Sequence, residues 1–205
     1  MSIIDLPAFE INLDLAPEER YLQIYIHFAE KIKPMFEKFF GFIQKDRRKF
    51  RYDVLAKCME KVDNDYYKEM ESLSKIIDFP IEKCIAVDHI CEITTGCTSI
   101  ISKAKDEVNG GYKMVHGRNL DYPVDVPLMR EVLYKGIITK GGKEICTNLI
   151  FAGFQVYTSV KKGAFSVSYN VRVKRQKDGF VKSMVLALLG YHKWAKIIKD
   201  TMLTC

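Results

Sequence analysis

The chain has 205 residues, 32 Lys+Arg against 26 Asp+Glu, 48% apolar residues, 12 Gly and 6 Pro, which is enough for one domain with a real hydrophobic core. Such a composition excludes a disordered chain, a collagen-like repeat and a disulfide-dense mini-protein. The net charge of +6 divides unevenly: residues 1–96 carry 14 Lys+Arg and 18 Asp+Glu, residues 97–205 carry 18 and 8. The basic residues of the second half are scattered singly, with Lys174-Arg175-Gln176-Lys177 the only dense run, so they are read as a solvated face and nucleic acid is not an expected partner.

No apolar run approaches the ~18–20 residues of a membrane span, and Met1-Ser2-Ile3-Ile4-Asp5-Leu6-Pro7 lacks the basic and apolar regions of a signal peptide. The cysteines, at 58, 84, 91, 97, 146 and 205, contain no CxxC pair, and with four histidines their wide spacing argues against a zinc site. No metal or cofactor is expected, and the redox compartment stays open.

In chain order, Phe9 to Leu15 alternates with the period of a half-buried strand. Pro17-Glu18-Glu19-Arg20 opens a helix, with proline and acidic residues in the first turn. The aromatic and aliphatic stretch Tyr21–Ile43 continues it, with Pro34 as a kink or break. Its segment from Met35 to Ile43 is strongly apolar on one face, which suits either a core helix or contact with a membrane. Helical patterns follow at Tyr52–Val62, at Tyr66–Ile77 and after Pro80. After Gly96 the texture changes to β-branched and aromatic runs separated by turn signals: Cys97–Ser102, Tyr112–Asn119, Val132–Thr139, Glu144–Ala152, Phe154–Val160 and Ala164–Arg172. These predict an antiparallel meander, and a helical period returns from Phe180 to Met202. The fold class is therefore α+β.

The chemistry centres on Cys97, at the junction between helix-rich and strand-rich sequence in Thr94-Thr95-Gly96-Cys97-Thr98-Ser99-Ile100. A cysteine there, taken alone, reads as a small buried apolar residue. Cys97-Thr98-Ser99-Ile100-Ile101 together with His116-Gly117-Arg118-Asn119-Leu120-Asp121-Tyr122-Pro123, however, resembles the signature of the acid ceramidase and N-acylethanolamine-hydrolysing acid amidase family. These are N-terminal-nucleophile cysteine hydrolases related to bile salt hydrolases. The likeness extends to Glu10–Arg20, to Asp78–Cys84, to Phe151-Ala152-Gly153-Phe154 and to Phe165–Arg172.

The resemblance implies an αββα sandwich and a precursor that cuts itself between Gly96 and Cys97. A helical α fragment, 1–96, with an N-terminal strand would stay paired with a β fragment, 97–205, as a heterodimer. It implies that Cys97 is the nucleophile, that its freed amine is the base, and that Arg118 and Asp121 flank it from the neighbouring strand. Asn170 matches an oxyanion donor, or is a turn residue. His116 belongs to the strand and takes no catalytic part in such enzymes, and His89 reads as a packed core residue. The implied substrate is a fatty-acyl amide lipid, an N-acylethanolamine or an N-acylsphingosine, met at a peripheral membrane contact. The implied compartment is the lysosome. Relatives carry a further C-terminal region, so the chain is expected to be truncated at that end, and an inactive homologue that binds lipid or a partner protein is the alternative.

Overall fold

A computed structural model describes residues 5–45, 52–94, 96–121, 126–155 and 158–168. Asn170, the end of the expected strand at Ala164–Arg172 and the helical pattern at Phe180–Met202 lie outside these residues.

The first half is helical after one strand, β1 (Ala8–Asn12). The short α1 (Pro17–Arg20) has Pro17 and two glutamates in its first turn. It passes directly into α2 (Leu22–Lys45), which runs through Pro34 without the expected break. The physical reason lies in which face carries the ring. Pro34 and Glu30, the residue whose carbonyl loses its partner, are both exposed, so water solvates the freed oxygen. Ile32, Met35, Phe36, Phe39 and Phe40 are buried on the opposite stripe and hold the two halves of the helix to one core. That apolar face is consumed by packing, with Phe36 and Phe39 against Phe154 and Phe40 against Tyr52. It is a core face, not the membrane-facing surface considered above.

Three more helices complete this layer: α3 (Tyr52–Val62), α4 (Asn64–Ile77) and α5 (Ile81–Thr94). Asp63 caps α4 by accepting from the Tyr66 amide, and the helix ends where Asp78 turns left-handed at φ 48 and its amide bonds back to the Ser74 carbonyl.

In the second half the expected single meander divides. Strands β2 (Gly96–Lys105) and β3 (Tyr112–Asp121) form a two-stranded antiparallel ribbon of their own. After a short helix α6 (Val126–Glu131), strands β4 (Leu133–Lys140), β5 (Lys143–Phe151), β6 (Thr158–Lys161) and β7 (Phe165–Ser168) make the antiparallel meander. β1 returns across the whole helical layer to add itself in parallel to β4, giving the mixed order β1-β4-β5-β6-β7. Gly136 on β4 leaves room for the Ile11 side chain, since a Cβ there would stand 2.8 Å from Ile11 Cδ1.

The run expected as a strand from Phe154 begins only at Thr158. Gly153, at φ +89, turns the chain so that Phe154 enters the helical core. One face of the sheet, with Ile11, Tyr134, Ile138, Cys146 and Ile150, packs on the helices. The opposite face of β6 and β7 carries the ribbon, so the described residues stack as helices, mixed sheet and ribbon, an α+β arrangement. Among them no helix is long and apolar enough to cross a membrane.

Candidate active site

The alternation of an antiparallel pair builds the site. In the ribbon register Cys97 lies opposite Leu120, Ser99 opposite Arg118 and Ile101 opposite His116. Cys97, Ser99, Arg118 and His116 therefore share one face, and that face meets β6 and β7. Within β6 and β7 the pairs Thr158–Ser168 and Val160–Ser166 share the face turned toward the ribbon, while Ser159 and Val167 turn toward the helical side.

Cys97 is 7% exposed, and its sulfur stands 3.7 Å from Arg118 Nη2, which donates to it. The same guanidinium donates through Nη1 to Thr158 Oγ1 at 2.8 Å, so the arginine bridges the two sheets at the thiol. A planar guanidinium anchored at a second point offers its charge in a fixed direction. Deeper in the same seam, Ser99 Oγ and Ser168 Oγ are 2.6 Å apart. His116 bonds Ser166 Oγ through Nδ1 at 2.8 Å and Ser168 Oγ through Nε2 at 3.0 Å.

Of the residues expected from the sequence, Cys97 and Arg118 are brought into contact, and Gly96 is the first residue of β2 with Asp121 opposite it in register. Asn170 lies outside the described residues. Thr158, Ser99 and Ser168 were not singled out, and His116 was set aside. The signal available for them was the period of two: Ser99 follows Cys97, and His116 precedes Arg118, at the spacing that returns a strand to the same face.

The other described thiols have different surroundings. Burial pushes Cys84 up to about 12, and burial also raises Cys146 above the ordinary thiol value. Neither has a cation against its sulfur in the bonds they make, which go to the Phe79 carbonyl and to Asn148 Oδ1. Among the described residues no group of three or more His, Cys, Asp or Glu is arranged to hold a metal ion.

A second polar cluster lies on the helical side of the sheet. Glu69, fully buried, accepts from Arg20 Nη1 at 3.2 Å and from Gln155 Nε2 at 2.6 Å. Asp88 accepts from the Gln155 amide at 3.0 Å and from Tyr66 Oη at 2.9 Å. Both carboxylates thus hold the connection that leads from β5 to β6 and its Thr158.

Comparison with known proteins shows what the chain as a whole resembles. Residues 5–64 match the family model described as the beta subunit of N-acylethanolamine-hydrolyzing acid amidase, a stretch that lies wholly before Gly96. The label in that description is the reverse of the α lettering used above for 1–96. An N-acylethanolamine-hydrolyzing acid amidase of Caenorhabditis elegans is 25% identical over 174 residues, 80% of this chain and 47% of the relative. That of Mus musculus is 26% identical over 204 residues, 96% of this chain and 53% of the relative. The acid ceramidase of Homo sapiens is 25% identical over 221 residues, 96% of this chain and 51% of the relative. The chain spans about half the length of the curated relatives it matches. The chain thus resembles the acid ceramidase and N-acylethanolamine-hydrolysing acid amidase family over most of its length.

Proposed function

We propose that Cys97 is the nucleophile of a cysteine amidohydrolase that first cleaves its own chain between Gly96 and Cys97 and then hydrolyses the amide of a fatty-acyl lipid. The observation that carries this reading is the contact at 3.7 Å between the Cys97 sulfur and a guanidinium pinned on its other side by Thr158, one residue after β2 begins. A packed structural cysteine has no use for a bridged cation.

In the self-processing step the Cys97 thiol adds to the Gly96 carbonyl, and the thiol proton goes to the departing amide nitrogen. Gly96 is left as a thioester on the Cys97 sulfur. Water then cleaves that thioester, returning the thiol and leaving fragments 1–96 and 97–205, paired as a heterodimer in an αββα sandwich. The new α-amine of Cys97, with an ordinary value near ~7.7–8.0, takes the thiol proton in each later turnover. The thiolate adds to the substrate carbonyl, the amine leaves with that proton, and water releases the fatty acid. Arg118 holds the anionic sulfur and Asp121, opposite Gly96 in register, receives the charged amine. Asn170 donates to the developing oxyanion.

The substrate class rests on the names of the relatives, an acid amidase for N-acylethanolamines and an acid ceramidase, and the word acid in both supports action at acidic pH, in keeping with the lysosome that the family resemblance implies. Since the apolar face of α2 is buried, the acyl chain and any membrane contact go elsewhere. Ile101 and Met114, each 67% exposed, offer apolar surface on the ribbon that carries Cys97 and Arg118. Each methylene buried there contributes about 0.8 kcal/mol, so specificity for acyl ethanolamides rises with chain length until that surface is covered. A flat profile overturns the lipid assignment.

The decisive experiment is mass spectrometry of the chain held at mildly acidic pH. Two fragments are expected, one ending at Gly96 and one starting at Cys97, and Cys97→Ala remains a single chain. Persistence of the wild-type chain as one piece from acid to neutral pH overturns self-cleavage.

A further inference from the structure

His116 is the titratable group of the ribbon seam that the reaction above leaves unused. Its two ring nitrogens are both committed, Nδ1 to Ser166 at 2.8 Å and Nε2 to Ser168 at 3.0 Å. Ser168 is in turn 2.6 Å from Ser99, which stands opposite Arg118 and next after Cys97 on the same face of β2. An unbroken path of hydrogen bonds therefore leads from the imidazole to the neighbour of the thiol.

For a ring whose neutral form carries its proton at Nδ1, protonation reverses that path. A neutral imidazole protonated at Nδ1 donates to Ser166 and accepts at Nε2, so Ser168 must donate to the ring and accept from Ser99. An imidazolium donates at both nitrogens. Ser168 then accepts from Nε2, and its own hydrogen turns to Ser99, the next residue after Cys97 on that face. At the same time a second positive charge appears two residues along β3 from Arg118. Both changes favour an anionic sulfur.

The groups that face the ring are few and mostly neutral. From β7 they are Ser166 and Ser168, from β6 the positions turned to the ribbon are Thr158 and Val160, and from the ribbon itself they are Ser99, Cys97 and Arg118, with Lys103 one further pair along. Among the described residues no carboxylate occupies those facing positions.

We infer that His116 is a positioning residue for Cys97, orienting the Ser168–Ser99 hydrogen bonds so that the thiol is more reactive when the imidazole is protonated. The inference rests on the assignment of Cys97 as the nucleophile, and it deepens that assignment with a site residue active at acidic pH. It requires no particular substrate.

The test follows alkylation of Cys97 in the full chain with iodoacetamide, quantified on the Cys97 peptide by mass spectrometry, from about pH 5 to about pH 8, across the ordinary histidine range. Three variants accompany the wild type. His116→Gln keeps a side chain that donates and accepts but does not titrate, Ser168→Ala interrupts the path and leaves the ring, and His116→Phe removes both. At the acid end the wild type is expected to react about tenfold faster than His116→Gln and Ser168→Ala, the size carried by one reoriented hydrogen bond to a charged group, and the profiles converge at the alkaline end. A purely structural role instead lowers stability in His116→Phe and leaves the shape of every profile unchanged. Superimposable wild-type and His116→Gln profiles overturn the inference, and the Gln and Ala variants decide it even where the Phe variant fails to fold. Amidase assays on the same samples separate the two claims: a chain that hydrolyses no acyl amide overturns the proposed activity, while the alkylation profiles still judge His116.

Discussion

Two polar networks lie on opposite sides of one five-stranded sheet, and they are built on opposite principles. On the helical side, Arg20, Glu69, Gln155, Asp88 and Tyr66 are joined inside a continuous apolar core. Burial pushes the Tyr25 and Tyr134 hydroxyls well above the ordinary phenol value, and the Glu69 charge adds to the effect. On the ribbon side, Cys97 is the only buried residue among the ribbon's described side chains, and the contacts made there are hydrogen bonds between short polar groups. The helical network is closed, whereas the ribbon network stands partly open to solvent. Elements with few buried apolar contacts open more easily, so the thiol belongs to the part of the molecule best able to rearrange.

The largest effect expected is on the closed side. Glu69→Ala leaves the Arg20 guanidinium, whose side chain is only 11% exposed, with Asp65 at 3.0 Å as its carboxylate partner, and removes the Glu69 acceptor of Gln155 Nε2. Removing one member of a buried ion pair costs about 3 kcal/mol, so denaturant unfolding should shift by that amount. Alkylation of Cys97 in the folded protein should barely change. A loss below about 1 kcal/mol would remove the contrast between the two sides.

Gly136→Ala probes the same side through packing. Its Cβ meets the Ile11 side chain at 2.8 Å and that of Tyr134 at 3.3 Å, so these buried side chains must repack, at a cost of about 1–3 kcal/mol in unfolding free energy. Unchanged stability would mean that β1 is not held against β4 as described.

On the open side the order of effects reverses. Arg118→Lys retains the charge but loses the fork that reaches Cys97 and Thr158 together. Stability should fall by less than about 1 kcal/mol, as expected of a partly exposed hydrogen-bonding group. The alkylation rate of Cys97 should fall about tenfold, because a lysine ammonium cannot hold both partners in one plane. A large loss of stability with unchanged thiol reactivity would give Arg118 a structural role instead.

The same contrast explains what the sequence made legible. Helices α3 and α4 and the strands after Gly96 announced themselves because burial on one face imposes a period, and Tyr52–Val62 coincides with its expected span. Cys97 and Arg118 stand out in the sequence only through their motif, and the fold brings their side chains together. The parallel addition of β1 to β4 was not legible, because a partner more than a hundred residues away leaves no local period. Nor was the separation of the ribbon from the meander, since strands of one sheet and of two share the same alternation. The continuity of α2 through Pro34 depended on which face meets water. The Glu69–Gln155–Asp88 network was hidden for the same reason: each member is an ordinary polar residue until the fold buries them together.

The smallest expected effect, and the finest test of the open side, is at the tip of the ribbon. Asp106 accepts from the amides of Val108 and Asn109, from Asn109 Nδ2 and from Lys113 Nζ. The Asn109 side chain and then the two amides hold its carboxyl at about 2, well below the ordinary aspartate value. Since the folded value lies below the unfolded one, the carboxylate's contribution is fully present above about 3.9, the ordinary aspartate value, and is lost as pH falls through about 2. The hairpin turn therefore keeps its geometry through the mildly acidic range. Amide exchange resolves this locally: protection factors at Val108 and Asn109 should be equal at mildly acidic and neutral pH in the wild type, and lower at both in Asp106→Ala. Because the turn is solvated, global unfolding should hardly register the change. Protection that already collapses at mildly acidic pH in the wild type would mean that the ribbon itself loosens there, and a pH response at Cys97 would then trace to the turn and not to the imidazole.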